Sequence, residues 1–263
     1  MILWLLLSGW GAMALVMAGL WELQRRRGDA GIVDVAWGMG VGVLAAVYAT
    51  VSSTGDPIRR GLIAALALIW ALRLSCHILL RLGRLPEDGR YQTLRGEWGE
   101  YSQRNLFLLF QLQALWSVLF AIPMLIAARN PEPALSVWDW MGMAIWLVAV
   151  AGESMADRQL AHFRNDPGNK GSVCREGLWR YSRHPNYFFE WLHWWAWVAL
   201  SIGAPGWWVT IAGPLLMLWF LLKVTGIPPT EAQALRSRGD AYRHYQQTTN
   251  AFFPWFPKEG RHI

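Results

Sequence analysis

GLWRYSRHPNYFFEWLHWW, residues 177–195, runs from a basic, hydrogen-bonding segment directly into an apolar, aromatic helix. It places polar chemistry at the edge of a membrane helix. A chain that needed only an anchor would not gather Arg180, Arg183, His184, Asn186, Glu190 and His193 in one stretch. Pro185 suits the first helical turn, where its missing N–H does no harm, so Arg183 or His184 is expected to cap the helix. Asn186 and Glu190 are then i and i+4 on one face, shared with His193. Their amide and carboxylate suit the edge of a carboxamide or an adenine. The helix N-terminus, with Arg180 and Arg183 just before it, is favourable ground for phosphate oxygens. Against this stands the plainer reading of Arg and His as snorkelling anchors in a Trp-rich interfacial helix.

Working outward, 54% hydrophobic residues, 16% charged residues and 19 Trp in 263 residues exclude an ordinary soluble domain. Apolar runs long enough to cross the hydrocarbon core fall at about 2–20, 32–51, 61–80, 106–128, 138–156, 186–204 and 207–224. The expected fold is an all-α, polytopic integral membrane protein of seven transmembrane helices. Residues 1–263 read as one domain whose cytosolic loops and tail, 225–263, form a ligand site. The stretches after spans one, three, five and seven carry three, five, six and six Lys or Arg, among them Arg84 and Arg261. The opposite loops carry Arg59, Arg60 and Arg129. That bias predicts an N-terminus outside and a cytosolic C-terminus.

The net charge of +6 fits loops facing anionic headgroups, so membrane lipids and not nucleic acid are the expected partners, and no obligate protein partner is evident. The start MILWLLLSGW lacks the basic segment of a signal peptide, and the first span is expected to be retained. Cys76 and Cys174 have no partners at motif spacing, so neither a disulfide nor a metal framework is expected. At the fifth span's exit, Glu153 and Asp157 share a face with Arg164 nearby, and the helix should stop near Asp166, Pro167 and Gly168. Glu153 lies at span depth, where a charge is expensive unless paired or wet.

The seven spans, RYSRHPNYFFEW and the tail GIPPTEAQALRSRGDAYRHYQQTTNAFFPWFP together resemble the steroid 5-alpha-reductase family, in its bacterial membrane branch of the DUF1295 type. The resemblance covers most of the chain and is strongest from Gly152 to Pro257. It implies a reductase of a bacterial inner membrane that uses NADPH to saturate the carbon–carbon double bond of an enone. The family's Asp and Arg seven apart, then Asn and Glu four apart, fall on Asp157, Arg164, Asn186 and Glu190, which it implies as cofactor ligands. Arg164, Lys170, Arg180, Arg183 and His184 are candidate phosphate contacts. Trp179, Tyr181 and Tyr187 suit a ring or a ribose, while Lys223, Glu231, Arg236, Tyr242 and Tyr245 would close the pocket from the tail.

Enone reduction also needs an acid near the carbonyl oxygen. Span two offers Asp34, expected to be kept neutral by an apolar site and mapped onto the Glu of a Gln–Glu pair in the family's animal members. Trp37 lies one turn on. The animal members carry a catalytic Tyr three residues before a third-helix Arg, but here Trp70 stands three before Arg73. Indole is no useful proton source, so His77, Tyr48 or water is expected to assist Asp34. Arg73, buried by depth, needs an anion. Glycines 38, 40 and 42 fit either a close helix neighbour or a flat substrate. The substrate implied is a hydrophobic steroid-like or lipid enone from the bilayer, most simply a 3-oxo-4-ene steroid. Two other classes remain open: a membrane S-adenosylmethionine-dependent methyltransferase of the isoprenylcysteine type, which also shows Arg-His-Pro, and a non-catalytic sterol-binding protein.

Overall fold

The computed structural model describes residues 2–82 and 87–258 and is all-helical among them; Arg84 and Arg261 lie outside the described residues. The α-helices are α1 (Ile2–Arg27), α2 (Ile32–Val51), α3 (Pro57–Leu82), α4 (Gly89–Trp98), α5 (Ser102–Ala128), α6 (Val137–Asn165), α7 (Pro185–Ser201), α8 (Ala212–Trp219) and α9 (Ile227–Thr248). Five helical stretches are long and apolar enough to cross a membrane: Ile2–Arg27, Ile32–Val51, Pro57–Leu82, Gly89–Ala128 and Trp207–Thr248. This is a multi-pass membrane protein. In the last stretch the apolar part precedes Gly226, because α9 carries Glu231, Arg236, Arg238, Asp240 and Arg243.

The helix ends follow local chemistry. Gly28 takes φ +77° after α1; Asp56 Oδ1 accepts from Arg59 N at 3.0 Å as α3 begins; Asp88 accepts from Arg90 N at 3.0 Å as α4 begins. Two expected boundaries differ. α7 ends at Ser201, not 204, because Gly203 adopts φ +97°. The stretch 207–224 is not one α-helix but a 3-10 segment (Trp207–Ile211), α8 and a π-turn (Phe220–Val224).

The chain divides into two compact units. The first comprises residues 1–136 and 201–210. There α2 packs on α3 and α5, and α1 on α5, around a core that includes Met13, Met17, Leu44, Tyr48, Tyr91, Phe110 and Val118. The glycines of α2 serve helix packing: a Cβ at Gly42 would stand 2.2 Å from Ala71 Cβ and 2.9 Å from the Ala67 carbonyl oxygen, and one at Gly40 would meet Met13 Cε at 2.4 Å. Arg59, fully buried, donates to the carbonyls of Glu132 at 2.7 Å and Ala134 at 2.5 Å. Arg60 donates to the Ala49 carbonyl at 2.7 Å and to that of Thr50, closing the end of α2.

The second unit comprises residues 137–200 and 211–263. α6 and α7 run antiparallel in close contact, since a Cβ at Gly142 would meet Leu200 Cγ at 2.5 Å and one at Gly152 would meet the Phe189 ring at 2.4 Å. Trp191 Nε1 donates to the Pro214 carbonyl at 3.2 Å, joining α7 to α8. The connection from Asn165 to Pro185 and the polar helix α9 therefore lie beyond the ends of the apolar helices in this unit.

Candidate functional site

The second unit brings together most of the residues singled out around 177–195. α6 stops at Asn165, and Asp166 Oδ1 accepts from Gly168 N at 2.9 Å. A short 3-10 turn, Gly177–Arg180, follows; it is held by Leu178 N on Gln159 Oε1 at 2.9 Å and by Trp179 Nε1 on the Ala156 carbonyl at 2.9 Å. α7 then begins at Pro185. This geometry carries Asn186 onto α6, where its Nδ2 donates to Asp157 Oδ1 at 3.4 Å. Its Oδ1 is buried and has no hydrogen-bond partner among the described residues. Such an orphaned acceptor is costly unless a ligand donor meets it. Glu190, one turn on, accepts from Trp194 Nε1 at 3.1 Å. Arg164, Lys170 and Arg180 are exposed.

The tail closes against the same segment. Glu231 of α9 accepts from Arg183 Nε at 2.7 Å, Gln246 Nε2 at 2.7 Å and Tyr242 Oη at 3.3 Å, and His184 Nε2 lies 3.2 Å away. Arg183 Nη1 also donates to the Gln246 carbonyl at 3.0 Å and to that of Thr249. Tyr245 Oη donates to the carbonyls of Trp179 and Ser182. His184 stacks on Tyr187, with ring centroids 5.2 Å apart and planes within 4°. Tyr187 Oη meets Thr230 Oγ1 at 3.1 Å. Burial holds the His184 imidazole below its ordinary value despite the neighbouring Glu231. Arg183, Glu231, Tyr242 and Tyr245 are thus committed to one another or to backbone. They clamp α9 onto residues 179–184. Tyr181 lies against Phe256 at 5.9 Å. Lys223 is exposed, and Arg236, also exposed, pairs with Gln233 Oε1 at 3.0 Å.

The first unit holds Asp34, Trp37 and Trp70. Trp37 and Trp70 meet edge to face at 6.3 Å, and Trp37 Nε1 is buried with no hydrogen-bond partner among the described residues. Asp34 differs from the expectation of a lone carboxyl in an apolar site. Its Oδ2 accepts from Arg90 Nη2 at 2.8 Å and its Oδ1 from Tyr91 Oη at 2.9 Å. Arg90 is fixed in turn by Asp88, at 3.1 Å from its Nε, and Arg81 Nη2 reaches Asp88 Oδ2 at 2.8 Å. Burial pushes the Asp88 carboxyl up, but Arg90 and Arg81 outweigh it and hold the group below its ordinary value.

Tyr91 is the residue that spacing alone missed. It sits on α4, within a stretch that reads as a cation-rich loop, and the available signal was Asp88 as an N-cap for a helix beginning at Gly89. Tyr48 is not a partner of Asp34. Fourteen residues further along α2, it lies about 21 Å away along the axis, with its hydroxyl close to Gly9.

A family model described as "Protein of unknown function (DUF1295)" matches residues 20–249. Among curated proteins, the chain is similar to two from Schizosaccharomyces pombe. It is 27% identical to Uncharacterized protein C594.04c over 224 residues, 73% of this chain and 62% of that protein. It is 32% identical to Uncharacterized protein C9.08c over 114 residues, 37% of this chain and 40% of that protein. The chain thus spans less than two thirds of the length of either relative. No solved structure matches. With 230 consecutive positions from 20 to 249 covered, the chain belongs to the DUF1295 family.

Proposed function

We propose that the chain is a seven-helix membrane reductase, N-terminus outside and C-terminus cytosolic in a bacterial inner membrane, that uses NADPH to saturate the double bond of a hydrophobic enone, most simply a 3-oxo-4-ene steroid. Its resemblance to the steroid 5-alpha-reductase family supports this reading. The observation that carries it is the Tyr91 hydroxyl on Asp34: a phenolic proton donor stands beside the carboxyl of α2, and an enone reduction needs such a donor where a methyl transfer does not. α6 and α7 count as spans here, although α7 has only 17 residues, about 25 Å of helix.

The residues of the second unit fit the cofactor. Asn186 Oδ1, buried with no partner among the described residues, would accept from a carboxamide N–H, and Asp157 holds the amide the right way round by accepting a hydrogen bond from its Nδ2. Exposed Arg164, Lys170 and Arg180 supply charge for the pyrophosphate and 2′-phosphate. Glu190 completes the polar face. Arg183, His184, Glu231, Tyr242 and Tyr245 position rather than contact, since their polar atoms already hold the tail to residues 179–184.

When bound, NADPH supplies the hydride that adds to the β-carbon. Negative charge then develops on the carbonyl oxygen. Tyr91, whose hydroxyl otherwise rests on Asp34, would be the proton donor to that oxygen, and Trp37 Nε1–H, buried with no partner among the described residues, would be a further donor available in the same unit. Arg90 balances the Asp34 carboxylate throughout. Proton transfer from Tyr91 to that oxygen would give the enol, whose tautomerisation moves the proton to the α-carbon, and water would restore the Tyr91 proton, so that one hydride and one proton are added overall.

Methyl transfer remains the second reading, favoured by the contact of Arg183 and His184 with Glu231, the segments shared with isoprenylcysteine-type enzymes. Thermal unfolding of the purified protein with matched NADPH, NADH and S-adenosylmethionine separates the two, because a ligand of the native state raises the transition by mass action. A shift with NADPH is the expected result. A shift with S-adenosylmethionine alone overturns the reductase.

A further inference from the structure

Past the end of α9 the chain does not leave the molecule. Residues 250–256, NAFFPWF, turn back along the start of α7. Backbone bonds fix the path: Arg183 N donates to the Asn250 carbonyl at 2.9 Å and Trp255 N to the Tyr181 carbonyl at 2.9 Å. Ser182 Oγ adds a bond to the Phe252 carbonyl at 2.8 Å. Along this path the Phe252 ring packs on Phe188 and Trp191 at 6.0 and 5.8 Å, and Phe253 on the same pair at 6.0 and 5.6 Å. Phe188 and Trp191 are three and six residues inside the first residue of α7. The tail therefore descends beside α7 by about 5–9 Å of helix rise.

That depth matters because of what the segment leaves uncovered. Phe253, Trp255 and Phe256 are 55%, 68% and 73% exposed, at a place where three large aromatics would otherwise face water. Exposed Lys258 follows them. Aromatic rings concentrate at the headgroup level of a bilayer, and interfacial segments bury their apolar side about 5–10 Å below it. The depth and side-chain types of 252–258 agree with that location. The aromatic patch also continues the apolar surface of α7, which is joined at Trp191 to α8, part of an apolar stretch long enough to cross a membrane.

We propose that residues 253–256 form an interfacial anchor whose occupant is the headgroup–acyl boundary of the bilayer, with Lys258 at the phosphates. The anchor rests on α7 and α8 being membrane helices and is independent of which cofactor the protein uses. It gives the lipid surface a hold on the segment 181–183 through the hydrogen bonds that join it to residues 250–255.

The test uses the full chain with Cys76→Ala and Cys174→Ala, reconstituted in phosphatidylcholine–phosphatidylglycerol vesicles. Nitroxide labels are placed singly at Trp255→Cys and Phe256→Cys, both exposed. Leu215→Cys on α8 marks the bilayer, and Gln247→Cys on exposed α9 marks water. Collision with oxygen and with a water-soluble nickel complex is then read by power saturation. The expected result is an oxygen-to-nickel ratio at 255 and 256 several-fold above that at 247, with a depth shallower than 215. A ratio equal to that at 247 overturns the anchor, as does shielding from both relaxants, which would mean a protein surface covers the patch. Should the label at 215 itself report water, the reading of α8 as a membrane helix falls and the anchor falls with it.

Discussion

Two carboxylates, Asp34 in the first unit and Glu231 in the second, each pair with an arginine and accept from a tyrosine, and yet they are built for different tasks. Glu231 is heavily bonded: Arg183 and Tyr242 donate to its Oε1, His184 lies against the same oxygen, and Gln246 donates to its Oε2. Its contacts all tie α9 to residues 183–184 or to α9 itself. Asp34 has two partners, Arg90 and Tyr91, and one of them is a hydroxyl that can rotate away. A heavily bonded carboxylate is a fastener; one with fewer bonds and a mobile donor can do chemistry.

The most disruptive way to sharpen that contrast is to unfasten Glu231. Glu231→Ala leaves Arg183, whose side chain is only 10% exposed, without its counter-charge, and His184, 4% exposed, without its hydrogen-bond partner. Stability is expected to fall by about 3–5 kcal/mol, read as a lower denaturation midpoint; a variant as stable as wild type would remove the fastener role. Tyr91→Phe makes the opposite cut. Turnover of an enone is expected to drop by about 100-fold or more, with cofactor-induced thermal stabilisation retained, and full activity would move the proton donor elsewhere.

Smaller effects are expected at the proposed cofactor edge. Asn186→Ala should weaken NADPH binding about tenfold, the equivalent of one hydrogen bond, and titration calorimetry would expose an unchanged affinity. Arg164→Ala should narrow the preference for NADPH over NADH by a few-fold, within the range for an exposed charge pair; the ratio of the two Kd values is the readout. The smallest is a pH effect. His184 stays neutral in the fold below its ordinary pKa, whereas the unfolded chain takes up that proton below about pH 6.5. Stability should therefore decline as pH falls below that point. The decline should shrink in His184→Gln, and identical pH profiles for the two would contradict it.

Local patterns were the legible part of this molecule. Pro185 announced the start of α7, the run Asp166–Gly168 announced the end of α6, and helical spacing placed Asn186 and Glu190 on one face. What spacing could not supply was contact between residues far apart in sequence. Glu231 meets Arg183 across 47 intervening residues, by way of α8 and a π-turn, so that contact was unreadable in the sequence. Tyr91 was hidden for a related reason. α4 is short and polar, its apolar residues few, and a ten-residue helix of that kind resembles a loop until Asp88 is recognised as its cap.

The π-turn at Phe220–Val224 sets a limit on how this chain can vary in length. Gly226 follows it closely enough that a Cβ there would stand 2.5 Å from the Leu221 carbonyl oxygen, so the joint has no slack. Each residue of an α-helix turns the chain by about 100°. Adding or deleting a single residue between 220 and 226 would therefore swing Glu231 around the axis of α9 and away from Arg183. Length variation among relatives is tolerable in many loops, but at this joint a one-residue indel amounts to loss of the clamp.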